Sequence, residues 1–420
     1  MAETANSAED FLNASLKVCK ARAPQLSYIR VPAFSVNEDK TINDRSADAN
    51  AVLNLAYWVK KAKNPSDDYL VLIPGGPGQT FFNSDWSQFP NLNLVYFDPR
   101  GIGCSMPDQA TTLDAPDFNT SEGIVRDLEA LRTHLGLSSW YVYAHSYGTV
   151  PATIYASQYP SSVRKLILEG SVAAGGARLW DPAGIDEIFK RSWAALSDKT
   201  REQAQSKLGC SAWFSEILLN SLPQNSGIDE VNERVERFLS HPRCISPLPV
   251  IVVDDIPGVF ASRPFLYVSC NELGANAISV DRHYFFDGQK TKPWPSHSLQ
   301  PQCKSYVNHA VLFDSRRYPL TVPVIFFQGE NDILTTQAEA YHRFIDLKKT
   351  NSQAVFFSLK KGGHNPLSLG LETYNAGTQT QALTINFIEK LLRQPLNAAP
   401  SSYDSWLQPS ATSGDEWTVR

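Results

Sequence analysis

A chain of 420 residues, 42% hydrophobic and 19% charged, can bury a sizeable core, either as one large domain with an insertion or as about two or three smaller ones. Its formal net charge of −5, with no long run of Lys and Arg, excludes a phosphate backbone as the expected partner, so no nucleic acid is expected. No stretch approaches the roughly 18 consecutive apolar residues of a membrane span.

The opening residues, MAETANSAEDFLNAS, carry acidic side chains and no apolar run, so no leader sequence is visible. From about residue 50, apolar runs alternate with helical segments. Residues 51–59 read as a strand. Residues 69–73 (YLVLI) form a compact apolar run ended by Pro74-Gly75-Gly76-Pro77-Gly78, and 93–97 (NLVYF) another, ended by Asp98-Pro99-Arg100-Gly101. Residues 121–137 place Ile124, Leu128, Leu131 and Leu135 at helical spacing. A strand at 140–144 (WYVYA), a helix at 146–159 and a strand at 163–168 follow.

Short apolar strands separated by helices predict an α/β fold, a mostly parallel sheet with helices on both faces. Right-handed crossovers align the C-terminal ends of such strands along one rim, where these sheets bind ligands.

Between 171 and 318 the rhythm breaks into irregular helical pieces with scattered Pro and Trp and four of the six cysteines, which predicts an inserted, mainly helical cap subdomain. The sheet pattern resumes at 322–328 (VPVIFFQ), with a helix at 335–347, a strand at 353–359 (QAVFFSL) and a closing helix at 379–393. The expected organisation is a core of 1–170 and 319–396, a cap of 171–318 and a surface tail of 397–420. No cysteine pair forms a C-x-x-C knuckle and no His stands at ligand spacing, so no metal is expected. Three disulfides and six buried thiols fit the cysteine spacing equally.

The strongest chemical signal is Ala144-His145-Ser146-Tyr147-Gly148. A serine between a buried strand and a helix, with small residues two before and two after, makes a nucleophile elbow. Its hydroxyl needs a base, and the base an orienting acid. In chain order after Ser146 come Gly329-Glu330-Asn331-Asp332 and Lys360-Lys361-Gly362-Gly363-His364, each following a predicted strand. Asp332 is the expected acid and His364 the expected base, with Glu330 and Glu169 as alternative acids; His145 is expected to pack rather than to act as base. The oxyanion donors are expected to be the Tyr147 N–H and an N–H of Gly75 or Gly76. The glycine loop has neither the Lys-Ser/Thr of a phosphate loop nor a G-x-G-x-x-G, so no nucleotide cofactor is expected. Asp98 and Arg100 are expected to tie down a loop beside the site.

Together, GGPG at 75–78, FDPRGIGCS at 97–105, AHSYGT at 144–149 and GGH at 362–364 resemble the proline iminopeptidase and tripeptidyl aminopeptidase branch of the α/β hydrolases. Pro74 stands where proline iminopeptidases usually carry His, and Ala144 replaces the usual first glycine of the elbow. The resemblance implies the α/β-hydrolase fold and a serine exopeptidase with no metal or organic cofactor, acting on a peptide or on a small ester or amide. It also implies export rather than a cytoplasmic location, and disulfides Cys270 with Cys303 and Cys210 with Cys244. Cys270-Asn271-Glu272 resembles the Cys-x-Asp/Glu element of that branch, which makes Glu272 the expected partner of a substrate α-ammonium, ahead of Asp254 and Asp255. A carboxylesterase or lactonase with the same triad, and a catalytically silent binding protein of this fold, are the alternatives.

Overall fold

The computed structural model describes residues 7–22, 26–34, 50–80, 89–115, 117–172, 262–273, 316–332, 334–360, 362–367, 379–396 and 417–420, with short pieces between 184 and 202, residues 285–286 and 289–290, and Cys303 and Tyr403. The strands are β1 (Ser27–Pro32), β2 (Val52–Lys60), β3 (Tyr69–Ile73), β4 (Asn93–Phe97), β5 (Met106–Pro107), β6 (Trp140–His145), β7 (Val163–Glu169), β8 (Phe285–Phe286), β9 (Gln289–Lys290), β10 (Val324–Gly329), β11 (Ala354–Leu359) and β12 (Trp417–Val419). The helices are α1 (Ala8–Arg22), α2 (Ser121–His134), α3 (Thr149–Gln158), α4 (Ser262–Tyr267), α5 (Gln337–Lys348) and α6 (Gln379–Arg393).

Among the described residues, the main sheet runs β1-β2-β4-β3-β6-β7-β10-β11-β12, with β5 beside β2. The strands from β4 to β11 along that order are mutually parallel; β1, β2 and β12 run antiparallel to their neighbours. This is the mostly parallel sheet that the apolar runs predict. Successive strand residues divide between two cores. Val71, Ile73, Val95, Phe97, Val142 and Ala144 pack on one face with Leu128 and Leu131 of α2, Val150 and Ile154 of α3 and Phe344 of α5. Leu70, Leu72, Leu94, Tyr96, Tyr141 and Tyr143 pack on the other with Ile388, Leu391 and Leu392 of α6. Burial on both faces explains why the runs are continuously apolar rather than alternating.

Helix α2 shows how local chemistry sets the boundaries. Thr120 caps it by accepting from the Gly123 N–H at 2.9 Å, Glu122 stands in the first turn, and Arg132 and His134 stand in the last.

Three features depart from the sequence reading. Helix α1 and strand β1 fall within the expected core of 1–170 but ahead of residue 51, where the first strand is predicted. Helix α1 buries Phe11, Leu12, Ser15 and Cys19, a helical stripe, and β1 buries Ile29 and Val31 in strict alternation. Cys19 of α1 is bonded to Cys104, 85 residues on. The expected surface tail contributes β12, which pairs with β11 in the register Phe357 to Val419 and Leu359 to Trp417. Most of 171–318, including Asp254, Asp255, Cys210 and Cys244, lies outside the described residues. Cys270 and Cys303 are bonded, as the resemblance implies.

The loop after β4 is held by a buried ion pair. Arg100 donates to both Asp127 oxygens, at 2.9 and 2.6 Å, and to the carbonyl oxygens of Ala33 and Phe118 at 2.6 and 3.2 Å. Both charged side chains are 1% exposed. Burial pushes the Asp127 carboxyl up even with Arg100 beside it. Arg100→Met would strand that carboxyl in the core. It is expected to cost about 3–5 kcal/mol by urea unfolding, most of it recovered in Arg100→Met/Asp127→Leu. A loss below about 1 kcal/mol would show that the pair does not hold this loop.

Candidate active site

The chain leaves β3 for β4 on one side and leaves β6 for β7 on the other. The loops after β3 and β6 therefore diverge, which opens a crevice above the sheet at the switch of strand order. Gly75 and Gly76 follow β3, and Ser146 follows β6. Ser146 has φ of 52°, the one positive φ at a non-glycine residue among the described residues. Such a backbone persists only where its surroundings impose it. Here a turn of 3-10 helix, Ser146–Gly148, leads into α3. Thr149 Oγ1 donates to the Ser146 carbonyl oxygen at 2.7 Å and accepts from the Val172 N–H at 3.0 Å. A β-carbon on Gly148 would lie 2.5 Å from the Pro74 carbonyl oxygen, so only glycine lets the elbow approach the loop after β3. Ala144 keeps its methyl because it points into the core and is fully buried.

The loops that carry the expected acid and base are zipped together above β10 and β11. Asn331 N–H donates to the Gly362 carbonyl oxygen at 2.8 Å, and Glu330 N–H to that of Leu359 at 3.0 Å. Gly329 permits this, since a β-carbon there would stand 2.1 Å from the Gly363 carbonyl oxygen. His364 Nδ1 then lies 2.9 Å from Asp332 Oδ2. Asp332, with no exposed surface, also accepts from Gln328 Nε2 at 2.7 Å, Thr335 Oγ1 at 2.8 Å and the N–H groups of Leu334 and Thr335, both at 2.9 Å. Burial alone would push the Asp332 carboxyl up; the His364 ring and these donors outweigh it and hold the carboxyl below its ordinary range.

Of the alternative acids, Glu169 is engaged elsewhere. Glu169 accepts from the Tyr143 hydroxyl and from the Leu367 N–H at 2.7 Å, and burial pushes its carboxyl up to about 7. Glu330 joins the site through its backbone. His145 packs its ring against that of His364, centroids 4.8 Å apart. Burial first, then the neighbouring imidazole, pushes His145 down to about 3, so it stays neutral at neutral pH. Its contact sets Ser146, the next residue, and His364 on adjoining segments of the rim.

A β-carbon on Gly75 would lie 3.0 Å from the Ser146 β-carbon, so only a residue without a side chain lets this loop run so close beside Ser146. Tyr147, the other expected donor residue, is 3% exposed. Behind the loop, Asp98 accepts from the Thr80 hydroxyl and from the Cys104 N–H at 2.7 Å, and burial pushes it up to about 7 against those bonds.

Glu272 ends a π-helical turn, Val268–Glu272, that continues from α4 and carries Cys270. Its Oε1 accepts from the Ser121 N–H at 2.9 Å and its Oε2 from the Ser121 hydroxyl. Ser121 Oγ in turn lies 2.8 Å from the Tyr147 hydroxyl. Burial pushes the Glu272 carboxyl up to about 7, opposed by the bonds from Ser121 and reinforced by nearby Glu122. Among the described residues, no helix is long and apolar enough to cross a membrane.

The pattern of the alpha/beta hydrolase fold matches residues 68–370, more than half of the chain. The chain belongs to that family. Within it, this hydrolase is 28% identical over 161 residues to a proline iminopeptidase of Neisseria meningitidis, a match covering 35% of this chain and 48% of that one. A proline iminopeptidase of Arabidopsis thaliana is 32% identical over 151 residues, covering 34% and 37%. The chain thus spans about half or less of the length of these relatives. A solved proline iminopeptidase of Mycobacterium smegmatis superposes with a TM-score of 0.43 at 16% identity, covering 87% of the hydrolase and 99% of that chain.

Sequence reasoning missed three supports of this candidate site. Gln328, fully buried, donates to Asp332 and to the Thr335 carbonyl oxygen at 2.6 Å and accepts from the Ser171 N–H at 3.1 Å. An amide inside an otherwise apolar strand was the available signal. Thr335 left the ordinary signal of a helix-start threonine. Ser121 left none, because its partners Tyr147 and Glu272 lie 26 and 151 residues away.

Proposed function

We propose that this hydrolase is a serine exopeptidase that releases residues from peptide N-termini through an acyl-enzyme. The observation that carries the reading is the buried Asp332–His364 hydrogen bond, held on the rim where Ser146 turns with positive φ. Asp332 fixes the imidazole with its Nδ1–H toward the carboxylate, which leaves Nε2 as acceptor. That nitrogen takes the Ser146 proton as Oγ attacks the scissile carbonyl. The N–H groups of Tyr147 and of Gly75 or Gly76 receive the oxyanion. The imidazolium then gives its proton to the leaving amine, and water, deprotonated by the same imidazole, cleaves the acyl-enzyme.

Glu272 supports the exopeptidase part of the reading. A carboxylate 8% exposed, linked to Tyr147 by two hydrogen bonds through Ser121, suits a substrate α-ammonium beside the scissile bond. The test compares an aminoacyl-arylamide with its N-acetylated form: the free amine should react faster by about tenfold or more. Equal rates would remove the exopeptidase reading.

The same facts favour a second reading, ester or lactone hydrolysis by the same triad, because both Glu272 oxygens are already engaged by Ser121. Equal rates with fast ester turnover would select it. Failure of a fluorophosphonate to label the chain would select a silent binding protein.

Glu272→Gln keeps the shape and removes the charge. It is expected to lower kcat/KM on free-amine substrates by about 10- to 100-fold and on simple esters by less than about threefold. Because the Glu272 carboxyl stands at about 7, its charge grows as pH rises through neutrality. The free-amine to N-acetyl rate ratio of the wild type should therefore climb through about pH 7, and that of the Gln variant should not. Equal loss on esters would strip Glu272 of this role.

A further inference from the structure

Three elements distant in the chain meet at one buried hydroxyl. Ser121 opens α2, Tyr147 follows the nucleophile, and Glu272 ends the π turn; they are 1%, 3% and 8% exposed. Thr120 already caps α2 through the Gly123 N–H, so the Ser121 hydroxyl is not needed as a cap. It points inward instead, to Glu272 on one side and to the Tyr147 hydroxyl, 2.8 Å away, on the other.

We propose that Ser121 is a positioning residue of the oxyanion hole, its hydroxyl locking the Tyr147 ring to Glu272 and so fixing the backbone N–H that meets the developing charge. The inference rests on the serine-hydrolase reading of the elbow and deepens it. Counting protons sets the polarity. An ionised Glu272 only accepts, so the single Ser121 O–H proton goes to Glu272. The Tyr147 O–H must then donate to Ser121 Oγ, which leaves each hydroxyl with one partner for its proton. A protonated Glu272, or the amide of Glu272→Gln, reverses both bonds without breaking either. The chain therefore survives the charge change and fails only when a hydroxyl is removed. Tyr147 is locked at its phenol end by this chain and at its backbone end by the elbow. An oxyanion donor needs that restraint, because its effect depends on aim to a fraction of an ångström.

The test uses Ser121→Ala, Tyr147→Phe and the double variant in the full chain. Active sites are titrated with a fluorophosphonate, and a p-nitrophenyl ester serves as substrate, so that amine recognition plays no part. Each single change is expected to lower kcat per titrated site, and the labelling rate, by about tenfold, with KM within about threefold. The double variant should be no more than about twofold worse than the weaker single, since all three break one link. Losses that multiply, losses confined to KM, or kcat within about twofold of wild type would overturn the proposal. A purely structural hydroxyl would lower Tm and leave kcat per titrated site unchanged, which also overturns it. If Ser121→Ala does not fold, Tyr147→Phe, which deletes one oxygen from a ring that stays packed, decides alone. A wild type that turns over the ester but ignores a free amine removes the exopeptidase reading and leaves this one standing. A wild type that is never labelled removes both.

Discussion

Ser146→Ala is expected to abolish both hydrolysis and fluorophosphonate labelling, with turnover falling on the order of a million-fold. In the proposed mechanism the oxygen deleted is the one that forms and breaks the acyl bond, and of its described neighbours His145 is neutral and packed and His364 is committed to Asp332. Folding should not register the change. The backbone at 146 carries φ of 52° with either side chain, so its strain is common to both proteins. Stability within about 0.5 kcal/mol of wild type is expected by denaturant unfolding. Residual turnover above about 1% of wild type, with unaltered labelling stoichiometry, would show a nucleophile other than Ser146.

Asp332→Asn is expected to lower kcat by about 10⁴-fold with little change in KM. The amide oxygen would keep the two bonds from the Leu334 and Thr335 N–H groups, both 2.9 Å in the parent. The amide nitrogen must then face His364 Nδ1, so the ring is held in the opposite tautomer with its proton on Nε2, where it cannot accept from Ser146. The same nitrogen would oppose Gln328 Nε2, a donor 2.7 Å from Asp332. Asp332→Asn is thus also expected to lose about 1–3 kcal/mol of stability. Retained activity would pass the orienting role to Glu169 or Glu330, and a further Glu169→Gln or Glu330→Gln change would tell which.

Much of the fold is legible in the sequence because the central strands are buried on both faces. YLVLI and NLVYF have the bounds of β3 and β4, and the apolar spacing at Leu128 and Leu131 marks α2. The candidate nucleophile, acid and base are legible for a different reason: each stands just beyond such a run, where parallel strands bring their ends to one rim. What was not legible depends on contacts between distant residues. Strand β1 offers two buried positions, Ile29 and Val31, and β12 is three residues long, too short for any period. The bond of Cys19 to Cys104 spans 85 residues. Gln328, Thr335 and Ser121 are ordinary polar residues until the fold sets them against Asp332, His364 and Tyr147.

Strand β12 carries one more consequence. It lies along β11, whose six residues AVFFSL are all buried, and the Arg420 N–H and carbonyl oxygen bond both ways with Phe356 at 2.9 and 3.0 Å. Trp417 meets the Phe327 ring edge-on at 5.8 Å, and the Arg420 guanidinium lies 4.7 Å from the Tyr341 ring centroid. Without those few residues, a greasy ribbon rich in phenylalanine would present unanswered amide groups to any second molecule, the geometry on which stacking of copies begins. Strand β12 thus works as a selvedge along β11.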